Sequence, residues 1–272
     1  MSAAVFAASK VSGEVLPSMG LLRIPLYRLY ERRLERALSN APKPRHVGVI
    51  LDGNRRWARL SGLSSPKEGH RAGAEKIFEL LDWCDEVGVQ VVTLWLLSTD
   101  NLARPPEELE PLFEIIENTV RRLCNEGRRV NPMGALDLLP ASTAQVMKEA
   151  GTTTERNPGL LVNVAVGYGG RREIADAVRS LLLEEAAKGT TLEELAERLD
   201  LDDIAKHLYT RGQPDPDLLI RTSGEQRLSG FLLWQSAHSE FYFCEVFWPA
   251  FRKIDFLRAL RSYSVRQRRF GC

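Results

Sequence analysis

The sequence predicts an α/β protein with a mostly parallel sheet flanked by helices. Short apolar runs rich in β-branched residues alternate with longer amphipathic patterns, as repeated strand–helix units require. Several of these runs end in clusters of polar residues, and α/β sheets place their ligand sites at such ends. The chain has 272 residues, 44% of them hydrophobic, which is enough for one large domain with a full core.

Each strand is predicted from an apolar run bounded by polar or turn residues. The six strands lie, in chain order, at residues 46–51, at 89–98, within 129–139, and at 160–166, 217–221 and 241–244. The first two are nearly continuous apolar runs, as expected of strands buried on both faces. The third contains Pro132 and Gly134, which weaken a strand interior. The fifth follows the turn Gln213-Pro214-Asp215-Pro216.

Helical spacing of apolar residues predicts the connections between the strands. Single helices cover about 71–87, 141–155, 171–188 and 252–268, and a helical pair covers about 192–209. Another helix is opened by Pro105-Pro106-Glu107-Glu108, because proline and acidic residues favour the first turn of a helix. Residues 167–170 are predicted as a tight turn, since their glycine spacing does not match a nucleotide-binding loop.

The first 44 residues are predicted to lie outside the main domain, which covers 45–272. Residues 1–19 form a disordered tail, and residues 20–44 form a basic amphipathic helix with a proline-containing linker. In residues 20–39, leucines and Tyr30 recur at helical spacing with five arginines between them. Such a helix can lie on an anionic membrane surface, with its arginines at the headgroups. Alternatively, it packs on the domain and leaves its arginines in water.

Composition excludes several classes of protein. The net charge of +1 gives no bulk attraction to a polyanion, so we expect no nucleic-acid partner. The four cysteines form no CxxC pair, which argues against a zinc site or a disulfide framework and suits a reducing cytoplasm. No apolar run approaches the roughly 20 residues of a spanning helix, and no secretory signal begins the chain. The nucleotide-loop, zinc-protease, serine-hydrolase and DDxxD motifs are absent.

The most informative stretch is the end of the first strand, where the sequence Asp52-Gly53-Asn54-Arg55-Arg56 follows the apolar run. Asp52 offers the hard oxygen ligand that Mg²⁺ prefers. Gly53 allows a close backbone approach, and the two arginines can bind phosphate oxygens bidentately. The motif therefore predicts a Mg²⁺-diphosphate site, with a plain polar turn as the alternative.

Other polar clusters accompany later strands, at residues 98–104, 221–229 and 238–240. Because the carboxyl ends of parallel strands meet at one edge, Asp52, Asn101 and Arg221 are expected to face one cleft. Residues 89–98 and 231–234 are strongly apolar and could wall that cleft. An apolar cleft with a charged mouth suits a lipid tail that carries a diphosphate head, although the same residues would also form an ordinary sheet core.

The sequence resembles the cis-prenyltransferases, also called undecaprenyl or Z-isoprenyl diphosphate synthases, over residues 46–271. The resemblance rests on the motifs HVGVILDGNRRWA, GHRAGA, TLWLLSTDNLARP, NVAVGYGGRREI, DLLIRTSGEQRLSGFLLWQSAHSE and the terminal RRFG. It implies a parallel six-stranded sheet with an apolar tunnel for the prenyl tail, and a homodimer. It also implies condensation of isopentenyl diphosphate with an allylic diphosphate, in steps that each make a cis double bond.

The resemblance further implies roles for individual residues. Asp52 matches the Mg²⁺-binding aspartate and Glu240 a second Mg²⁺ ligand, while Ser98 and Asn101 match residues that assist removal of the isopentenyl proton. Asn101 is a poor base, so it orients the substrate in this interpretation, and the diphosphate itself is a possible proton acceptor. The substrate-binding positions are Gly53, Asn54, Arg55, Arg56, Trp57, His70, Ser98, Thr99, Asp100, Leu102, Arg104, Arg221, Arg227, Leu228, Ser229, Arg269 and Gly271. The last two belong to a C-terminal element that reaches the partner subunit's site.

Leu96 sets the expected product length. Long-chain members of the family usually carry a small residue at this position, on the strand that lines the tail tunnel. A leucine should fill the tunnel and stop elongation early. The whole pattern resembles the short-chain members that make (2Z,6E)-farnesyl diphosphate from geranyl diphosphate. The alternatives are a medium- or long-chain polyprenyl diphosphate synthase and, in another class, a non-catalytic partner subunit. We expect a cytoplasmic protein, with peripheral contact at the inner face of the membrane as an option for residues 20–39.

Overall fold

A computed structural model describes the backbone of residues 19–266 and the side chains of residues 27–266. Six strands form one sheet in the order β3-β4-β2-β1-β5-β6, and every pair is parallel. The strands are β1 (His46–Ile50), β2 (Val91–Ser98), β3 (Arg129–Met133), β4 (Leu161–Tyr168), β5 (Leu218–Arg221) and β6 (Glu240–Phe243). The predicted α/β class with a parallel, six-stranded sheet is confirmed.

Helices cover the sheet because parallel strands need crossover connections. They are α1 (Met19–Leu38), α2 (Asn54–Leu60), α3 (Pro66–Val87), α4 (Pro106–Asn125), α5 (Ala141–Thr154), α6 (Gly170–Ala187), α7 (Leu192–Arg198), α8 (Leu201–Ala205) and α9 (Lys253–Val265). A short 3₁₀ turn, Asp100–Ala103, follows β2. The middle strands are buried on both faces, which explains their continuous apolar sequences.

Two helix predictions around the first strand were incomplete. The polar residues after Asp52 form the short helix α2 instead of a turn, and α3 begins at Pro66, five residues before the predicted start. The Ser65 hydroxyl accepts a hydrogen bond from the amide of Lys67, and the Glu68 carboxylate accepts one from the Ser65 amide. This reciprocal cap fixes the start of α3.

The strand predicted within residues 129–139 occupies only the first five of them. It ends at Met133, because Gly134 adopts a positive φ of 119° and residues Leu136–Leu138 form a 3₁₀ turn. Pro132 is tolerated because β3 is an edge strand, where a missing amide costs no ladder hydrogen bond. The turn predicted at residues 167–170 is also displaced, since β4 continues through Tyr168.

The described part of α1 packs on the domain, mainly against α9. Leu34 and Leu38 are buried in the main core, and Tyr27 and Tyr30 lie under the guanidinium groups of Arg252 and Arg258. The arginines of this helix whose side chains are described, Arg28, Arg32, Arg33 and Arg36, are exposed, as the packing alternative requires. No helix among residues 19–266 is long and apolar enough to span a membrane. The predicted tail lies outside the described residues, except for Met19, which begins α1.

Candidate active site

A cleft of about 930 Å³ opens at the carboxyl ends of β1, β2 and β5. The structure brings Asp52, Asn101 and Arg221 into it together, although they are far apart in the sequence. The other predicted site residues that line the cleft are Gly53, Asn54, Arg55, Arg56, His70, Leu96, Ser98, Asp100, Arg104, Arg227 and Ser229. The cleft thus lies at β1, where the order of strands in the parallel sheet reverses, which is the usual ligand position in such a sheet.

The backbone of Asp52 is held by residues from distant parts of the chain. Its amide donates to the Thr222 hydroxyl at 3.0 Å, and its carbonyl accepts from that hydroxyl at 2.7 Å and from the Trp248 amide at 3.0 Å. Gly53 then turns the chain with a φ of 106°, a conformation that favours glycine. These bonds aim the Asp52 carboxylate into the cleft and start α2 immediately after it.

Helix α2 is placed by close packing against α3. A methyl group on Gly69 or Gly73 would overlap Asn54 at the start of α2, so both glycines allow the two helices to touch. The Asn54 amide also donates to the Leu51 carbonyl at 2.9 Å. The contact fixes the first turn of α2, which carries Arg55 and Arg56, beside Asp52.

Arg221 is a buried cation in the floor of the cleft. Its guanidinium donates to the Asp52 carboxylate at 2.9 Å, to the Ser229 hydroxyl at 3.2 Å and to the Arg227 carbonyl. Burial alone would raise the pKa of Asp52, but the hydrogen bond and charge of Arg221, aided by Ser223 and Arg56, hold that pKa below its ordinary value. The Asp52 carboxylate is therefore ionised at neutral pH.

The loop after β5 is strained where it borders the cleft. Among the described residues, the non-glycine residues with positive φ are Ser223 (77°), Ser229 (52°) and Leu232 (47°), all in this loop. The Ser223 hydroxyl accepts a hydrogen bond from Arg56 at 2.7 Å, and Ser229 accepts one from Arg221. Such conformations cost about 1–3 kcal/mol each and persist where the surroundings impose them.

Two carboxylates hold four of the arginines around the cleft. Glu108, in the first turn of α4, lies 2.8 Å from Arg104 and 3.4 Å from Arg55. Glu225, in the loop after β5, lies 3.2 Å from Arg56 and also pairs with Arg227. The sequence-based interpretation missed both carboxylates, because their contacts to Arg55 and Arg56 span 53 and 169 residues of chain.

His70 projects from α3 between the cleft and a second, smaller pocket. Its Nε2 is buried and has no hydrogen-bond partner. Burial, together with the nearby charges of Arg104 and Arg55, lowers the pKa of His70 to about 4. The ring is therefore neutral at neutral pH, and its free nitrogen can meet a ligand.

Leu96 stands at the boundary of the two cavities. Its side chain lines the large cleft on one side and, on the other, a small pocket of about 30 Å³ between α3 and α4. That pocket could hold about one or two water molecules. Ile77, Leu112 and Ile116 form much of its wall. The described residues thus show a small pocket behind Leu96, and no continuous tunnel is seen in them.

The segment after β2 contributes Ser98, Asp100, Asn101 and Arg104 to the cleft. The Ser98 hydroxyl accepts a hydrogen bond from the Asn101 amide at 3.1 Å, which fixes the turn that carries the Asn101 side chain. Four other predicted substrate contacts do not line the cleft: Trp57, Thr99, Leu102 and Leu228. Leu102 instead packs against the main core, and Leu228 packs against a smaller hydrophobic cluster that contains Phe231.

Glu240 does not join Asp52 within one chain. It is the first residue of β6 and pairs in register with Leu218, the first residue of β5, at the amino-terminal edge of the sheet. Asp52 follows Ile50, which pairs with Arg221 about 10 Å farther along the strands. The cluster at 238–240 therefore precedes its strand, and Glu240 instead pairs with Arg266 at 2.7 Å. Arg269 and Gly271 lie outside the described residues.

The donor set of the cleft fits one Mg²⁺ shared with a substrate. No group of three or more candidate ligands from His, Cys, Asp and Glu occurs among residues 19–266, so the described chain offers no all-protein cage. Mg²⁺ is usually held by one or two carboxylates together with substrate phosphates and water. Asp52, ionised and partly exposed in the cleft, supplies such a carboxylate.

Trp95 was also missed by the sequence-based interpretation. It lines the cleft, stacks on Phe231 with a centroid distance of 5.1 Å, and its indole N–H is buried without a partner. Strand alternation alone could not have indicated it, because Leu96, on the opposite face of β2, lines the cleft as well. A buried indole N–H usually finds an acceptor, which a ligand in the cleft can provide.

Comparisons with known proteins identify relatives of this chain. Isoprenyl transferase 1 of Streptomyces avermitilis is 62% identical over 251 residues, which cover 92% of this chain and 97% of that protein. A (2Z,6E)-farnesyl diphosphate synthase of Mycolicibacterium smegmatis is 54% identical over 255 residues, with 92% and 97% covered. The crystal structure of lavandulyl diphosphate synthase from Lavandula x intermedia, in complex with dimethylallyl diphosphate, has a TM-score of 0.77 and 34% identity, covering 85% of this chain and 99% of that one.

The fold and its relatives define a prenyltransferase of the cis-isoprenyl diphosphate synthase class. Residues 50–271 match the family described as putative undecaprenyl diphosphate synthase. The chain belongs to this family, and the resemblance inferred from its motifs is confirmed.

Proposed function

We propose that this enzyme makes a short-chain product, by Mg²⁺-dependent cis-condensation of isopentenyl diphosphate with geranyl diphosphate to give (2Z,6E)-farnesyl diphosphate. The observation that carries the proposal is the position of Leu96 between the cleft and a pocket of about 30 Å³. One isoprene unit has five carbon atoms and needs more room than one or two water molecules. A growing tail directed at Leu96 therefore stops early. The name of the Mycolicibacterium smegmatis relative supports the same product.

The residues around the cleft suit this reaction. The allylic C–O bond breaks and its electron pair leaves with the diphosphate, while a new bond joins the allylic carbon to isopentenyl diphosphate, which then loses a proton from C2. When bound at Asp52, Mg²⁺ would neutralise charge on the leaving diphosphate. Arg55, Arg56 and Arg104 supply fixed positive charge to the same group, and preorganised charge of this kind often contributes more to catalysis than any other effect.

The isopentenyl diphosphate is assigned to the other side of the cleft. Arg221, Arg227 and Ser229 lie together there, and the buried Arg221 is oriented by three hydrogen bonds. Asn101 orients the isopentenyl carbon chain, with its turn fixed by Ser98. Neither of these two side chains is basic enough to accept the proton alone, so a diphosphate oxygen is the proposed acceptor.

Product analysis tests the assignment. The purified chain is incubated with Mg²⁺, labelled isopentenyl diphosphate and, separately, dimethylallyl, geranyl or farnesyl diphosphate. We expect one condensation on geranyl diphosphate and a C15 product. Products of C50 or longer would favour the alternative, a medium- or long-chain polyprenyl diphosphate synthase.

The other alternative, a non-catalytic partner subunit, makes a different prediction. Such a chain would be inactive alone and active only with a second protein. The cleft opposes this interpretation, because it retains Asp52 and Arg221 in direct contact at 2.9 Å. Turnover by the purified chain, lost in Asp52→Ala without loss of folding, excludes the partner-subunit alternative.

A homodimer completes the proposal, with Arg269 and Gly271 of one chain reaching the cleft of the partner. The exposed apolar side chain of Phe243, the last residue of the edge strand β6, supports an interface there. Mixing inactive Asp52→Ala with inactive Arg269→Ala tests the shared site. Activity should reappear when mixed dimers form, and its absence after subunit exchange would contradict the shared site.

Contact with the cytoplasmic face of a membrane is proposed for the exposed arginine face of α1. Arg28, Arg32, Arg33 and Arg36 are exposed and make no ion pair among the described residues. Because the apolar side of the helix from Tyr27 onward packs on the domain, the contact would be electrostatic and weakened by salt. Flotation with anionic vesicles, compared with the four-fold Arg→Gln variant, measures it.

A further inference from the structure

The arginines that surround the cleft are already occupied by carboxylates of the protein. Glu108 lies within 3.5 Å of both Arg55 and Arg104, and Glu225 contacts both Arg56 and Arg227. Each carboxylate thus joins two arginines that come from different segments of the chain. Glu108 belongs to α4, on one side of the cleft, and Glu225 to the loop after β5, on the other.

These pairs compete with any anionic ligand. An arginine presents its N–H donors in one planar fork, so a donor bound to a carboxylate is not free for a phosphate oxygen. The pairs are also partly exposed: the Glu108 side chain is 22% exposed and that of Glu225 is 29%. Partly exposed ion pairs of this kind are weak enough to exchange for a more highly charged partner.

The carboxylates also control repulsion between the arginines. Six arginines line the cleft against three carboxylates, so its walls carry an excess of positive charge before any ligand enters. Burial and the neighbouring charge of Arg55 lower the pKa of Arg104. A carboxylate placed between two such cations keeps them within reach of one point, where a diphosphate could later bind.

We propose that Glu108 and Glu225 are exchangeable counter-ions. They pair with the four arginines while the cleft is empty, and the substrate diphosphates replace them when they bind. The ion pairs form again when diphosphate leaves. The inference rests on the proposed function, since it requires diphosphates in this cleft. Both glutamates are positioning residues that act through the arginines. They lower the affinity of the cleft for diphosphate and so accelerate its release.

Calorimetric titration with inorganic pyrophosphate tests the inference at fixed ionic strength and in the presence of Mg²⁺. Glu108→Gln and Glu225→Gln remove the charge but keep the side-chain shape. Each should bind pyrophosphate about threefold to tenfold more tightly than the wild type, because the ligand no longer displaces a carboxylate. A variant that only damaged the structure would bind more weakly, so structural damage cannot explain tighter binding.

Glu114→Gln is the matched control. Glu114 lies on the same helix as Glu108 but pairs with Lys67 at 3.2 Å, and among the described residues it pairs with no arginine of the cleft. Its removal should leave the pyrophosphate affinity unchanged. Equal tightening in all three variants would mean that net charge alone is responsible and would overturn the assignment to Glu108 and Glu225.

The two proposals fail in different ways. Unchanged or weaker binding by both cleft variants, with normal binding by the wild type, overturns the counter-ion role alone. Absence of pyrophosphate binding by the wild type overturns the diphosphate cleft itself, and the counter-ion role with it. A rapid first turnover followed by slower steady-state turnover in Glu108→Gln, larger than in the wild type, supports slower release of diphosphate.

Discussion

Six arginines and three carboxylates line the cleft at the sheet edge, whereas the pocket behind Leu96 is lined by no ionised side chain. The first region is defined by charge and by hydrogen bonds that cross the chain, from Asp52 to Arg221 for example. The second is defined by volume, about 30 Å³. The difference implies that substitutions in the cleft should change the rate of reaction, and substitutions at the pocket should change the product.

The largest expected effect on turnover is at Asp52. Asp52→Ala removes the proposed Mg²⁺ ligand and leaves Arg221 buried without its carboxylate, so we expect kcat to fall roughly 1000-fold, equivalent to about 4 kcal/mol. Steady-state kinetics with geranyl diphosphate measures it. Asp82→Ala, at an exposed surface carboxylate paired with Arg128, is the control for general damage. A kcat of Asp52→Ala within tenfold of the wild-type value would mean that Asp52 takes no part in the reaction.

Arg221→Lys should have the next largest effect. Lysine keeps the charge but lacks the planar fork that contacts Asp52, Ser229 and the Arg227 carbonyl together. We expect kcat/KM for isopentenyl diphosphate to fall about 100-fold, equivalent to about 3 kcal/mol. A similar loss for the allylic substrate alone would contradict the division of the cleft into two sides.

Leu96→Ala should change turnover less than threefold but lengthen the product. The truncated side chain joins the small pocket to the cleft, so one or more further condensations become possible. Chromatography of the dephosphorylated products gives the chain lengths. Leu96→Met conserves volume and serves as the control, with an unchanged C15 product. If alanine and methionine gave the same product as leucine, chain length would be set elsewhere.

The smallest effect on turnover is expected from the protonation of His70. Its pKa of about 4 keeps the ring neutral, so no titration of His70 should appear in kcat between pH 6 and 8. The stability of the fold should depend on pH instead. In the unfolded chain His70 takes up its proton near pH 6.5, whereas in the folded chain it does so only near pH 4. The free energy of unfolding should therefore fall by up to about 3 kcal/mol as pH falls from 6.5 to 4. Chemical denaturation across this range, for the wild type and for His70→Gln, measures that contribution. An equal slope in both proteins would contradict the lowered pKa.

Much of the fold and part of the cleft could be predicted from sequence. Apolar runs indicated the six strands, and the rule that parallel strands end at one edge brought Asp52, Asn101 and Arg221 together. The role of Glu240 came from the family resemblance and not from this rule. The predicted strand 241–244 already placed Glu240 before its strand, and the observed β6, which begins at Glu240, keeps it at the same amino-terminal end.

The features that escaped prediction depend on contacts between distant segments. Helix α2 has only seven residues and is too short to be stable alone. It exists because Gly69 and Gly73 admit Asn54, a fact that no local pattern contains. The pairing of Glu108 and Glu225 with particular arginines is likewise set by the folded geometry. Local sequence indicates which residues can do chemistry, while their partners emerge only on folding.

The hydrogen bonds that Thr222 and Trp248 make to the backbone of Asp52 have a consequence for protein synthesis. Asp52 leaves the ribosome early, but the residues that hold it follow about 170 and 196 positions later. A nascent chain that ends before β5 therefore lacks the geometry of its own catalytic loop. The enzyme cannot begin to consume prenyl diphosphates until its synthesis is almost complete, and truncated chains should be inert instead of partly active.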